Sequence, residues 1–541
     1  MPDRRLDSAS LDPEFPNRVS APHARTRRPV VIAVAAVAVA ALLAGCTATP
    51  TARWKDSPGG GSSEPGAPGI PAAEWEDCEE VAEEVLDGSA PRRISFECAT
   101  VEVPLDWSDP DNGETLDIAL LRARSKRQRD RKGSLVINPG GPGGSGINTA
   151  VYLAETLPVQ VMKGFDLVGF DPRGVGRSSP VECWDDEDKD TMLGAEPDPV
   201  SPQAYDEIVT LTDEMVADCE QKYGDTLKFF STEQTARDIE AIRQAVGDDK
   251  LTYLGYSYGT LLGAVYAKLF PDRIRAMVLD GAVDPGKSEI ASSEGQAAGF
   301  ELAFNNFAKW CKGAGASQCP IAPDARGFVT RLLAKARKAP VEISDGRKAT
   351  AGWVLAAVVY TMYVQEWWPV LAEGLAAADK GRPEALFRIV DTFNERESDG
   401  DYDNSMEVLT MVNCVDEEKS PSVEDIRKLQ TDWRKKYPLF GAPLALSILG
   451  CAVWPDQHDP YPYGEAKGAP PILVVGTTGD PATPYEQAGV LAKLLGTGVL
   501  ITFEGEGHTA YPTAGCLNDV INDYLIDLEA PKSEVTCRAR E

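Results

Sequence analysis

Leu251-Thr252-Tyr253-Leu254-Gly255-Tyr256-Ser257-Tyr258-Gly259-Thr260 is the stretch on which the reading turns. Leu251 to Gly255 is a short run without polar alternation, the pattern of a strand covered on both faces. Thr260 to Phe270 carries a helical pattern. Between them stands Gly-x-Ser-x-Gly. Glycines at 255 and 259 permit a sharp strand-to-helix turn that pushes the Ser257 hydroxyl out above the sheet. A buried serine in an ordinary turn is the plainer reading of the bare pattern. The strand before it and the helix after it favour the exposed hydroxyl.

A serine hydroxyl needs a base to become a nucleophile. The chain has three histidines, His23, His458 and His508. His23 precedes an apolar leader. His458 sits in the polar loop Asp456-Gln457-His458-Asp459-Pro460. His508 sits in Glu504-Gly505-Glu506-Gly507-His508-Thr509, after the last long apolar run, Val499 to Phe503. A loop at the C-terminal end of that strand reaches the same sheet rim as Ser257, so His508 is the base by elimination and position. The base needs an orienting carboxylate. Asp480 follows the strand Ile472 to Val475; Asp280, after Ala276 to Leu279, is the rival, which could instead cap the next loop. The chain order Ser257, Asp480, His508 is that of the α/β-hydrolase fold.

An acyl-transfer oxyanion also needs donors. Asn138-Pro139-Gly140-Gly141-Pro142-Gly143-Gly144-Ser145-Gly146 follows the strand Ser134 to Asn138. Glycines let backbone N–H groups approach a developing charge without a Cβ in the way. The donors expected are the N–H of Gly141 and that of Tyr258. No phosphate-loop lysine accompanies these glycines. Asp171-Pro172-Arg173-Gly174-Val175-Gly176-Arg177-Ser178 ends another strand, and its charges read as ties between loops.

Further runs, Val101 to Leu105, Leu116 to Leu120 and Phe165 to Phe170, add strands, with helical patterns between them. Such alternation predicts a mostly parallel central sheet with helices on both faces. From 288 to 437 the strand pattern lapses. Phe300 to Trp310, Gly327 to Lys338, Trp353 to Asp379 and Val423 to Tyr437 read as helices. An inserted helical cap over the active face is expected there. It divides the hydrolase core into 74–287 and 438–541.

The first 46 residues read as a signal. Arg25, Arg27 and Arg28 precede an uncharged run of about 14 residues, Val30 to Leu43, too short to span a bilayer. Leu43-Ala44-Gly45-Cys46 looks like a bacterial lipoprotein cleavage box, which predicts lipidation of Cys46 and a site on the outer face of the cell membrane. Residues 47–73, rich in Pro, Gly, Ser and Thr, read as a flexible tether. Eleven cysteines less Cys46 leave ten, an even number suited to an oxidising compartment. Neighbour pairing would give five local loops; the connectivity stays open. No spacing suggests a metal site, and no cofactor is expected. With 54 basic and 84 acidic residues the formal charge is −30, which disfavours nucleic acid as partner.

Taken together, Asn138 to Gly146, Asp171 to Ser178, Gly255 to Gly259, Asp280 to Pro285, Asp480 to Pro484 and Gly507-His508-Thr509 resemble the secreted actinobacterial tripeptidyl aminopeptidases. These are α/β-hydrolases related to proline iminopeptidase. The resemblance runs from about Arg92 to Cys537. Where the iminopeptidase pattern begins His-Gly-Gly-Pro-Gly, this chain has Pro139-Gly140-Gly141-Pro142-Gly143. The resemblance implies removal of short peptides, tripeptides above all, from free N-termini. That task needs an anion for the substrate ammonium, and Asp416 or Glu417 in the cap is the candidate. An esterase or lipase with the same triad is the alternative. A solute-binding lipoprotein on an inert hydrolase fold is the third reading.

Overall fold

The computed structural model describes residues 69–538; the leader, Cys46 and most of the tether lie outside them. Among the described residues twelve strands form. In chain order they are β1 (Glu76–Asp77), β2 (Ile94–Pro104), β3 (Thr115–Ser125), β4 (Gly133–Asn138), β5 (Phe165–Phe170), β6 (Leu251–Tyr256), β7 (Ile274–Asp280), β8 (Val341–Glu342), β9 (Lys348–Ala349), β10 (Ile472–Gly479), β11 (Gly498–Glu506) and β12 (Val535–Arg538). Ten of them make one sheet in the order β1-β2-β3-β5-β4-β6-β7-β10-β11-β12, while β8 and β9 form a separate hairpin in the cap. Pairing is antiparallel from β1 to β5 and parallel from β5 onward. All eight expected strands are present. The two shortest edge strands, β1 and β12, carry no run long enough to read.

β4, β5 and β6 are buried along their whole length. Side chains alternate between the two faces of a strand, and each face has its own core. Val136 and Tyr253 pack on one face with Ile239, Leu262 and Met277. Leu135, Ile137 and Leu254 pack on the other with Val151, Leu473 and Leu517. Two-faced burial explains why these strands read as unbroken rather than alternating.

The cap has a third core of its own, built on Phe300, Phe304, Phe307, Trp353, Trp368 and Phe440. Its first helix is Glu289–Ala314. The stretch Trp353 to Asp379 is not one helix. It breaks into Ala351–Met362, a 3-10 turn at Gln365–Trp367, and Trp368–Asp379. Pro369 is the cause: it lacks an N–H and suits only the first turn of a helix, so the chain restarts there. The cap also draws on a second stretch of chain that the strand pattern did not single out. Helices Asp186–Gly194 and Pro202–Tyr223 leave the core between β5 and β6, and Tyr205 packs with Ile426 and Trp433. Short helices at Gly441–Leu446 and Leu449–Val453 extend the helical region past 437.

The ten remaining cysteines pair with their neighbours: Cys78–Cys98, Cys183–Cys219, Cys311–Cys319, Cys414–Cys451 and Cys516–Cys537. Among the described residues no helix is long and apolar enough to cross a membrane. Leu254 is fully buried, and Leu254→Ala is expected to cost about 2–5 kcal/mol in denaturant unfolding. Val490, 45% exposed, serves as the control: Val490→Ala should change stability by less than about 0.5 kcal/mol.

Candidate active site

β6 ends at Tyr256 and the helix Tyr258–Leu269 begins at once. Ser257 makes the turn alone, at φ 54° and ψ −125°. That region costs a non-glycine residue roughly 1–3 kcal/mol, so neighbours must hold it. The Ser257 N–H donates to the Asp280 carbonyl at 2.9 Å, and the Ser257 carbonyl accepts from the Thr260 N–H at 2.8 Å and the Thr260 hydroxyl at 2.6 Å. The flanking glycines answer to crowding. A Cβ at Gly255 would lie 2.3 Å from the Gly259 carbonyl oxygen, and one at Gly259 would lie 2.7 Å from that of Asn138. Strand and helix pass too close for any side chain there.

The loop after β4 lies against this turn. A Cβ at Gly140, where φ is 100°, would sit 2.9 Å from the Ser257 Cβ and 3.0 Å from the Tyr258 nitrogen. The Gly140 N–H donates to the Asn138 side-chain oxygen at 3.0 Å, and the Gly140 carbonyl accepts from the Gly144 N–H at 3.1 Å, which fixes the loop. Among the described residues the N–H groups of Gly141 and Tyr258 have no hydrogen-bond acceptor, as expected of donors aimed at an oxyanion. The cap rests on this loop: a Cβ at Gly143 would meet the Ser405 carbonyl oxygen at 2.7 Å.

His508 follows β11, two residues past Glu506. Its Nδ1 lies 2.9 Å from both carboxylate oxygens of Asp480, which makes Nδ1 the protonated nitrogen. Asp480 is itself held by the N–H groups of Ala482 and Thr483 and by the Thr483 hydroxyl, each at 2.9 Å. The His508 N–H donates to the Tyr363 carbonyl at 2.8 Å, and the Tyr363 ring meets the imidazole edge-on, with ring centroids 5.2 Å apart. Tyr363 follows the helix that Pro369 interrupts, so the break in the cap frees a carbonyl for the loop that carries His508. Nε2 is buried and makes no hydrogen bond, to the Ser257 hydroxyl or to any other described group. Such bonds are often long without substrate and tighten in the complex. The ring is nonetheless at the elbow: a Cβ at Gly281, the residue after the Ser257 acceptor Asp280, would sit 3.1 Å from His508 Cε1. Burial works against the imidazolium, but the charge and hydrogen bond of Asp480, aided by Asp280, outweigh it and hold the His508 pKa above its usual 6.5.

Asp280, the rival acid, does not touch the imidazole nitrogens; its side chain accepts from the N–H groups of Ala510 and Tyr511. His458 lies elsewhere, with Nδ1 3.2 Å from the Cys414 carbonyl. Asp171 accepts from the Ser145 hydroxyl and the N–H groups of Ile147 and Arg177, while Arg173 pairs with Asp238 in full burial. Asp416 accepts from the Thr232 N–H at 2.9 Å and the Thr232 hydroxyl at 2.6 Å, and that hydroxyl also meets the Tyr258 phenol at 2.6 Å. Burial pushes the Asp416 carboxyl up to about 7, with Asp459 and Glu417 adding to the rise. Glu417 accepts from the Glu289 N–H at 2.5 Å, and burial raises it too. Glu289, at the first turn of the cap, is pushed up to about 7 by burial and by Glu417. Nothing in the local pattern Lys287-Ser288-Glu289 marks that glutamate: among the described residues its carboxylate accepts only from the Ser293 hydroxyl one turn on, and its acidic neighbour Glu417 comes from 128 residues away. Among the described residues no group of three or more His, Cys, Asp or Glu side chains is placed to hold a metal ion.

A strained serine at a strand–helix elbow, two free N–H donors beside it and a carboxylate-held histidine define a serine hydrolase on the α/β-hydrolase fold. The sequence matches the family described as alpha/beta hydrolase fold over residues 133–382, and the family described as TAP-like protein over 437–537. It is 39% identical over 462 residues to serine protease Hip1 of Mycobacterium tuberculosis, covering 81% of this chain and 87% of that protein. It is 35% identical over 506 residues to carboxylesterase B of M. tuberculosis (91% and 94% covered). It is 32% identical over 475 residues to tripeptidyl aminopeptidase of Streptomyces lividans (86% and 86% covered). The chain belongs to the tripeptidyl aminopeptidase-like family of α/β-hydrolases.

Gly140→Ala tests the contact between loop and elbow. The added Cβ must push back the Tyr256 carbonyl, 2.6 Å away, and with it the free N–H of Tyr258, 3.0 Å away. Labelling of Ser257 by a fluorophosphonate is expected to slow on the order of a hundredfold, read by gel fluorescence against time.

Proposed function

We propose that this chain is a serine peptidase that releases short peptides, tripeptides above all, from free N-termini, with Ser257, His508 and Asp480 as its triad. The observation that carries the reading is the buried, unpartnered Nε2 of His508, its other nitrogen committed to Asp480, beside the elbow serine. In the cycle, Nε2 takes the Ser257 proton as Oγ attacks the scissile carbonyl. The N–H groups of Gly141 and Tyr258 hold the oxyanion; one such donor is worth about 3 kcal/mol in the transition state. His508 returns the proton to the leaving amine as the C–N bond breaks. Water then repeats the sequence and frees the acyl group. Asp480 keeps the proton on Nδ1 and stabilises the imidazolium.

The names of the Streptomyces and Hip1 relatives support peptides as substrates. Glu417, with Asp416 and Glu289 beside it, is the proposed anchor for the substrate ammonium. Asp416 already serves Thr232, so Glu417 and Glu289 have the freer oxygens. Ester hydrolysis by the same triad is the second reading, favoured by the 35% identity to carboxylesterase B.

Paired assays separate the two. A free-N-terminal tripeptidyl amide is expected to be cut at least ~10-fold faster than its N-acetylated form, and Glu417→Gln should erase the difference chiefly through KM. The pH dependence has two parts. Activity on both substrates should rise as His508 loses its proton, with a midpoint above 6.5. For the free amine alone, KM should fall as pH rises through about 7, where Asp416 and Glu289 ionise while the α-amino group is still charged. Equal rates on blocked and free substrates would remove the anchor; cleavage of simple esters alone would favour the esterase.

The same reading places the protein outside the cell membrane, held only by a lipid on Cys46. Five disulfides in the described chain support an oxidising compartment. Growth with an alkynyl palmitate analogue is expected to label the wild-type chain, and Cys46→Ala should abolish the label.

A further inference from the structure

The nucleophile and the base come from strands that do not touch. β6 and β11 are separated by β7 and β10. Neighbouring strands lie ~4.8 Å apart, so the gap is roughly 14 Å, too wide for any direct backbone bond. One residue bridges it. Asp280 ends β7, and its carbonyl accepts the Ser257 N–H at 2.9 Å. Its carboxylate accepts the Ala510 N–H at 2.9 Å and the Tyr511 N–H at 2.7 Å, two and three residues past His508. Gly281, at φ 73°, then leaves room for the His508 ring. Between His508 and Ala510 the chain passes through Thr509 at φ 65°, a conformation that needs holding from both sides. The Tyr363 carbonyl grips one side and the Asp280 carboxylate the other.

The geometry points to Asp280 as a positioning residue for the hydrolysis proposed above: it ties the His508 loop to the elbow and places a second negative charge behind the imidazolium. The acid that contacts the imidazole is Asp480; Asp280 acts through the main chain and through its field. Asp480 at the end of β10 and Tyr363 from the cap are the other titratable groups facing the imidazole. Facing Asp280 are His508, Asp480 and the phenol of Tyr256. Burial pushes the Asp280 carboxyl up to about 6, against the pull of the two loop N–H groups, so it is charged over the range in which a raised His508 loses its proton.

The test uses the whole protein and the rate of Ser257 labelling by a fluorophosphonate, followed across pH, with thermal unfolding alongside. This readout is independent of peptide specificity. A wild type that does not react at all would sink the hydrolase reading itself. Asp280→Asn keeps the shape and removes the charge. It is expected to react at least ~10-fold more slowly, with its pH limb moved to lower pH by about half a unit or more, because His508 loses a stabilising neighbour. Asp280→Glu keeps the charge and displaces the hydrogen bonds. It is expected to slow without moving the limb. A folded Asn variant with an unshifted limb overturns the proposal, whatever its rate. If the Asn variant does not fold, the Glu variant decides: a slowed reaction with the wild-type limb supports the proposal, and a wild-type rate overturns it.

Discussion

Close approach of backbones at the end of β6 governs this site. Asn138, Gly255 and Gly259 bring strand, turn and helix within a spacing that excludes a side chain, and Ser257 is forced to the one conformation that joins them. The strain there is of the order of 1–3 kcal/mol and persists because the surroundings over-determine it. The Asp280 carbonyl, the Thr260 hydroxyl and the loop at Gly140 each fix a different side of the turn. A free Tyr258 N–H is a by-product of the same crowding, since the helix begins with no turn before it to accept a bond. The Ser257 turn and the free Tyr258 N–H are thus two results of one geometric demand.

Carboxylates near the site differ by what satisfies them. Asp480 has two N–H groups, a hydroxyl and an imidazole around it. Asp280 has only loop N–H groups, and Asp416 only Thr232. The last two are raised by burial to about 6 and about 7. A carboxyl that burial has pushed up becomes costly to the fold as pH rises through the raised value, because the unfolded chain ionises it freely from a lower pH. Asp416 and Glu289 therefore withdraw stability across the range leading up to about 7, and the disulfide Cys414–Cys451 anchors the helix that carries Asp416 against that loss.

Much of this architecture was legible because its signals are local. Leu251 to Thr260 holds strand, turn and helix in ten consecutive residues, and scarcity left His508 as the one histidine after a late strand. The glycines of 140–144 spoke for themselves through backbone freedom. What escaped was set by partners far along the chain. Glu289 gains its meaning from Glu417 and Tyr363 from His508, and neither sits in a pattern that separates it from ordinary helix or loop residues. The helices at Asp186–Gly194 and Pro202–Tyr223 followed no strand lapse, so their place in the cap was hidden; Leu193 of the first meets the core around Trp353, and Tyr205 of the second meets Ile426 and Trp433, only in three dimensions. Helix 353–379 was read through its interruption because apolar spacing continues across Pro369.

A cover assembled from two excursions of the chain has mechanical implications. One runs between β5 and β6 and the other between β7 and β10, so the roof is moored to its foundation by four separate stalks instead of swinging from a single hinge. Ser405 plants one foot of it on the glycine loop. Opening such a roof wide means straining several moorings at once, whereas threading a single loose end beneath it means straining none. A cover held at several points resists wide opening more than one swung from a single hinge.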